Sequence, residues 1–178
     1  MTILRSHLPQ PTATDKNPKN QAVQMLDKEF KQALLTMLQA ELSAMHYYQR
    51  ANKFIKDQGA MYHFNLLAQE ELEHARTFYS VYPDDSLPEF DELVKNSSPE
   101  QAVLNAVDPQ LLGRLTERAA LKLAMKMEEE VAKNLQRMLG EVSSPAAKTV
   151  IEENIDSTLG HLELITEDYR RIFGTSEN

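Results

Sequence analysis

Glu71 and His74 are the residues of this chain that packing explains least well. They stand three positions apart in the run Gln69-Glu70-Glu71-Leu72-Glu73-His74, so a helix would carry both on one face, one turn apart. Stepping from Glu71 by threes and fours gives Ala60, Phe64, Leu67, His74, Phe78 and Val81, the inward stripe of an amphipathic helix from about Gly59 to Val81. An ionised carboxylate in such a stripe costs roughly several kcal/mol unless it finds a partner. A divalent metal ion partners the carboxylate and the imidazole together. On a solvated face the same pattern would mean nothing, and Glu70, Glu73, Glu129 and Glu130 are read as that ordinary kind.

Three more stripes surround this one. A first helix is expected from Gln21 to Asp57, ended by Gly59, with Phe30, Leu34, Met37, Glu41, Ala44, Tyr48, Ala51 and Ile55 facing inward. A third opens at Asp108-Pro109 and lasts to Glu141, with Glu117, Leu121, Ala124, Glu128, Val131, Leu135, Met138 and Val142 inward. Ser144-Pro145 starts a fourth and Gly174 ends it, with Ala147, Ile151, Asn154, Thr158, His161, Ile165, Asp168 and Ile172 inward. Between the second and third helices lies a stretch of about 25 residues, far longer than a hairpin needs. It is punctuated by Pro83, Pro88 and Pro99, with a short helix expected at Ser98-Pro99-Glu100. Such a connection crosses the bundle and leaves the second and third helices parallel.

The two halves repeat. An interval of 87 residues carries Glu41 onto Glu128, His74 onto His161 and Gln49-Arg50 onto Gln136-Arg137, whereas Glu71 falls on Thr158. Two helical hairpins related in this way bring Glu41, Glu71, His74, Glu128, Thr158 and His161 to one level. Carboxylates with imidazoles suit iron or manganese, and zinc or cobalt can substitute for them.

Composition narrows the function. The chain has 178 residues, 42% hydrophobic and 26% charged, enough for one domain with its own core. It divides into an arm over residues 1–20, a bundle over 21–174 and a tail over 175–178. The absence of cysteine excludes disulfides, thiolate zinc sites, iron–sulfur clusters and cysteine nucleophiles. A net charge of -8 with no basic stripe argues against nucleic acid as a partner. Neither a membrane span nor a signal peptide is visible, so a cytoplasmic protein is expected. His7, His46 and His63 have no evident ligand partner, and His63 lies some three turns from His74. Met125, Met127 and Met138 are read as packing.

Over residues 21–173 the chain resembles the ferritin-like superfamily, of rubrerythrin or bacterioferritin type. Glu41, Glu71-x-x-His74 and Glu128 match its dimetal-carboxylate pattern, and Glu70 to Ala75 resembles its second-helix signature. Ala132-Lys133-Asn134-Leu135 is similar to the third helix of bacterioferritin, and Tyr48 falls where ferritins often carry a redox-active tyrosine. The resemblance implies an all-α antiparallel four-helix bundle with a long crossover between its second and third helices. It implies two iron ions, with manganese or zinc as alternatives: Glu71 would bridge them, Glu41 and His74 would cap one, and Glu128 and His161 the other. Reaction with dioxygen or hydrogen peroxide, of ferroxidase or peroxidase type, would follow, in a homodimer supplied by an external electron donor. Thr158 departs from the pattern, since a second bridging Glu is expected there. Three carboxylates leave two divalent ions with a charge of about +1, which a hydroxide, an oxo group or an exogenous carboxylate could balance. Thr158 then marks an open ligand position. The competing readings are a dimetal oxygenase or hydroxylase, a manganese catalase, and a non-catalytic metal-binding bundle that recruits a partner. Thr158, Asn154 and Asp168 in the fourth stripe keep the last of these in play.

Overall fold

Four apolar stripes at helical spacing have only one another to bury against, and the fold is the result. The computed structural model describes residues 18–97 and 115–174, and among these the chain forms helices and turns with no strand. Helix α1 (Pro18–Ala51) runs into a 3-10 turn at Asn52–Phe54; α2 (Gln58–Ser80) follows, then the short α3 (Phe90–Asn96), α4 (Glu117–Glu141) and α5 (Pro145–Phe173). The long helices α1, α2, α4 and α5 pack as an all-α bundle of ferritin-like form.

Two apolar clusters fix the helix directions. One joins Ala44 to Ile55 of the first hairpin, Ala60 to Ala68 of α2, Leu121 and Ala124 of α4, and Ile165 of α5. The other joins Leu34 to Met45 of α1, Ala75 and Phe78 of α2, Leu135 and Met138 of α4, and Ala147 to Ile155 of α5. The first therefore gathers the end of α1 with the start of α2, and the start of α4 with the end of α5. Hence α1 is antiparallel to α2 and α4 to α5, while α2 and α4 run parallel, as a crossover requires. The inward stripes of the sequence are the buried faces: Leu34, Tyr48, Ala60, Phe64, Leu67, Phe78, Leu121, Ala124, Leu135, Ile151 and Ile165 are all at most 1% exposed.

Several boundaries differ from expectation. Helix α1 starts at Pro18, ahead of Gln21, and Gly59 does not end it. The chain leaves the helix at Asn52–Phe54, and Asp57 N-caps α2 by accepting from the Ala60 N–H at 2.9 Å. Glu117 explains the early exit. Its Oε1 accepts the Lys56 and Asp57 N–H groups at 2.9 and 2.8 Å, backbone donors that a continuing helix would have used itself. Gly59 serves a different purpose: a Cβ there would meet Arg171 Nη2 at 3.1 Å and Asp57 Oδ1 at 3.2 Å, so glycine leaves room for that ion pair.

Helix α4 begins at Glu117, within the run expected from Asp108-Pro109 to Glu141, because Thr116 is extended and caps it through the Ala119 N–H. Asp108 and Pro109 lie outside the described residues, as do Ser98-Pro99-Glu100, His7, most of the arm and the tail. The short crossover helix that is described is α3, which the sequence reading missed. It docks through buried Phe90, whose ring meets Tyr79 at 5.4 Å and lies 4.3 Å beneath the Arg76 guanidinium. Ser144, Pro145 and Gly174, the last at φ 77°, bound α5 as their residue types suggest.

Asp168 is not a decayed core position. Its buried carboxylate accepts from His63 Nδ1 at 2.7 Å and Arg171 Nη2 at 2.6 Å, and Arg171 also holds Asp57 at 2.7 and 2.8 Å. This clasp joins α2 and α5 at the end of the bundle where α2 begins. Among the described residues no helix is long and apolar enough to cross a membrane.

Packing sets the stability of the bundle residue by residue. Phe64 is fully buried and meets Tyr48 edge to face at 5.2 Å, whereas Tyr62, two positions earlier, is 65% exposed. Urea unfolding should therefore show Phe64→Ala losing about 3–5 kcal/mol. Tyr62→Ala should stay within about 0.5 kcal/mol of the unsubstituted chain.

Candidate metal centre

Each long helix sends polar side chains into the gap between the two apolar clusters. Glu41 comes from α1, Glu71 and His74 from α2, Glu128 from α4, and Thr158 and His161 from α5. Glu41, Glu71, Glu128, Thr158 and His161 are buried, and the His74 side chain is 12% exposed. Apolar layers lie above and below this level.

Glu71 organises the group. Its Oε2 lies 3.1 Å from His74 Nδ1 and its Oε1 lies 3.1 Å from His161 Nδ1, so each oxygen addresses a different imidazole. The two rings stack at 5.3 Å with 17° between their planes. Glu41 Oε2 lies 3.9 Å from His74 Nδ1, and Glu128 Oε2 lies 3.7 Å from His161 Nδ1. One nitrogen of each ring therefore faces carboxylates. Ligand atoms of Glu71, His74 and His161 all lie within 4.8 Å of one another, close enough for one ion to touch all three. Tyr48 Oη donates to Glu128 Oε1, which fixes that carboxylate from the α1 side.

The donor set fits a metal on a specific observation: both oxygens of Glu41 are buried and have no hydrogen-bond donor. An orphaned carboxylate at 0% exposure is a heavy cost in a finished core, and a cation removes it. Without a metal the site compensates with protons. Burial, reinforced by the charges of Glu71 and then Glu128, pushes the Glu41 carboxyl well above its ordinary range, and once protonated it can share that proton with Glu71. Glu128 is likewise raised by burial and by Glu71. Glu71 is the exception: burial alone would raise it, but hydrogen bonds from His161 and then His74 hold it below the usual carboxylate range. His161 would be lowered by burial, yet Glu128 and Glu71 raise it from 6.5 to about 10. An imidazolium thus stands where a metal cation would. Tyr48 is raised by burial and by Glu128, so its hydroxyl keeps its proton and donates.

The residues expected as ligands meet here, together with Ser157, to which the sequence assigned no role, and Glu70. Ser157 Oγ lies 3.0 Å from His74 Nε2 and 3.3 Å from His161 Nε2. Glu70, taken for a solvated surface residue, places Oε2 2.9 Å from His161 Nε2. The signal for both was positional, since each immediately precedes a position of the ligand pattern, Glu71 or Thr158. Thr77 meets His74 from its own helix and is itself met from α5: Asn154 Nδ2 donates to Thr77 Oγ1 at 3.3 Å, and that hydroxyl donates to the His74 carbonyl at 2.8 Å. His63 is absent from the site and pairs with Asp168. His46 is also elsewhere, 2.8 Å from the Ser97 hydroxyl near the crossover.

A ferritin-like bundle with carboxylates and imidazoles from all four long helices at its centre defines a dimetal-carboxylate protein. The rubrerythrin family model matches residues 32–167, and the chain belongs to the rubrerythrin family, whose members typically bind two iron ions. A comparison with curated proteins and one with solved structures each found no match.

Proton storage in the empty site has a pH signature. Glu41 and Glu128, raised in the fold, stabilise it while protonated, and that contribution is lost as pH rises above the ordinary carboxylate range. His161 acts in the same direction, contributing fully below pH 6.5 and losing its contribution as pH climbs towards about 10. Glu71, being depressed, weakens the fold only below the ordinary carboxylate range. Chemical denaturation of chelator-treated protein should therefore show stability falling from pH 5 to pH 9. Adding a divalent metal should reverse that slope, because the ion displaces the protons. A flat profile in the metal-free protein would remove protons as the stand-in.

Proposed function

We propose that this bundle is a dimetal oxidoreductase acting on dioxygen or hydrogen peroxide, of ferroxidase or peroxidase type. The observation that carries the reading is Glu41, whose two buried oxygens lack any donor while one of them lies 3.9 Å from His74 Nδ1. In this reading Glu41 and His74 hold one ion, Glu128 and His161 hold the other, and Glu71 reaches both through its separate oxygens. Iron is the pair we favour, although manganese or zinc would suit the same donors. Bound iron would supply one electron from each ion to dioxygen or peroxide.

The chain's own residues prepare for that chemistry. Tyr48 keeps Glu128 oriented by donating to it. Glu41 and His161 would release protons as cations enter, so that one form of positive charge replaces another. Thr158 contributes no charge, and in this reading its position is left to a small exogenous anion or to substrate. The 178 residues hold no cysteine that could relay electrons from a thiolate-bound iron, so the reductant would be an external donor.

A single-ion reading rests on a different observation, the compact trio Glu71, His74 and His161 within 4.8 Å. Stoichiometry separates the two. An anaerobic Fe(II) titration of metal-free protein should reach two equivalents per chain. A pulse of dioxygen or peroxide should then raise ferric absorbance faster than with free iron, and Glu71→Ala should abolish the difference. One equivalent would favour the single-ion site, and oxidation at the free-iron rate would remove the oxidoreductase reading.

A further inference from the structure

Glu70 and Ser157 are separated by the same 87 residues that separate His74 from His161. Each also does the same thing in space, reaching across to the histidine borne by the other helix. Glu70 on α2 places Oε2 2.9 Å from His161 Nε2 of α5, and Ser157 on α5 places Oγ 3.0 Å from His74 Nε2 of α2. Both imidazoles are thus held from behind through Nε2 while Nδ1 faces the carboxylates. A ring whose outer nitrogen gives its proton to an acceptor is fixed in tautomer and orientation, and its inner nitrogen becomes a stronger donor.

The exchange is not symmetric, and neither is the ligand set. His161 is backed by a carboxylate at 2.9 Å, with the Ser157 hydroxyl farther off at 3.3 Å, and His74 by that hydroxyl at 3.0 Å, while the position after Glu70 is Glu71 and the position after Ser157 is Thr158. The extra anion therefore stands behind the histidine whose own helix lacks the ligand carboxylate. We propose that Glu70 is a positioning residue which restores, through His161, the negative charge that Thr158 withholds from a pair of bound ions, with Ser157 its neutral counterpart behind His74. Three ligand carboxylates leave two divalent ions with a charge of about +1, and a fourth carboxylate one imidazole away offsets it without filling a coordination position. The Glu70 side chain is 43% exposed, so it reaches His161 from the solvent side of the centre.

The inference rests on the two-ion reading, and a cobalt(II) titration followed by visible absorption distinguishes its failure from that of the reading. The unsubstituted chain should take up two equivalents. Glu70→Gln, which keeps an acceptor for His161 but loses the charge, should weaken one of them about ten- to a hundredfold and leave the other unchanged. Ser157→Ala should affect the other equivalent, and by less. Metal-free Glu70→Gln should melt as the unsubstituted chain does, since a half-exposed side chain carries little of the fold. Two equivalents of unchanged affinity in Glu70→Gln would overturn the inference alone, as would a loss seen in Glu70→Ala but not in Glu70→Gln. A single equivalent in the unsubstituted chain would overturn the two-ion reading and the inference with it.

Discussion

Three carboxylates buried at one level of a helical bundle are the constraint to which the rest of this molecule answers. Glu41, Glu71 and Glu128 sit in a low-dielectric layer where each ionised group weakens the next. Such a layer survives only with compensating positive charge. The metal-free fold finds it in protons, on Glu41 and as the His161 imidazolium. Metal ions supply the same compensation in another form. A site that already accommodates positive charge needs little rearrangement to exchange one form for the other.

The surrounding structure keeps that layer dry and in register. Apolar clusters close it on both sides, and the register of the four helices is secured by polar ties rather than by packing alone. Glu117 binds the turn between α1 and α2, while Asp57, Arg171, Asp168 and His63 tie the start of α2 to the end of α5. Those ties hold the two histidine-bearing helices against each other. They matter because His74 and His161 meet only across the α2–α5 interface, and a slip along it would separate both rings from Glu71.

The centre was legible in the sequence because burial and spacing are local facts. Glu41, Glu71, Glu128 and His161 interrupt stripes whose other members are apolar, and a helical period alone brings such residues to one face. What escaped were contacts made across helices by residues that look like surface. Glu70 lies beside a ligand position but points around the helix, and only the pairing of α2 with α5 shows that it meets His161. The pairing of His63 with Asp168, which the sequence placed inward, escaped because the two lie on different helices 105 residues apart. Boundaries failed where two signals competed: Gly59 resembled a stop, yet the Asp57 cap and the Glu117 carboxylate settled the turn earlier.

Thr158 gives the asymmetry of the centre its meaning. A full set of bridging carboxylates would neutralise two divalent ions and surround them, leaving little reason for another anion to approach. On the two-ion reading proposed above, threonine there would leave neutralisation to come from farther away and one coordination position unclaimed by the chain. Ser157 suits this arrangement because a hydroxyl both donates and accepts. Ser157 Oγ, 3.0 Å from His74 Nε2, can pair with either tautomer of that ring, donating to a bare Nε2 and accepting from a protonated one. A carboxylate in place of Ser157 could only accept, and would favour the tautomer that metal binding requires. The chain thus has a fixed anion behind one histidine and an adaptable hydroxyl behind the other, and the two halves of the centre differ before any ion arrives.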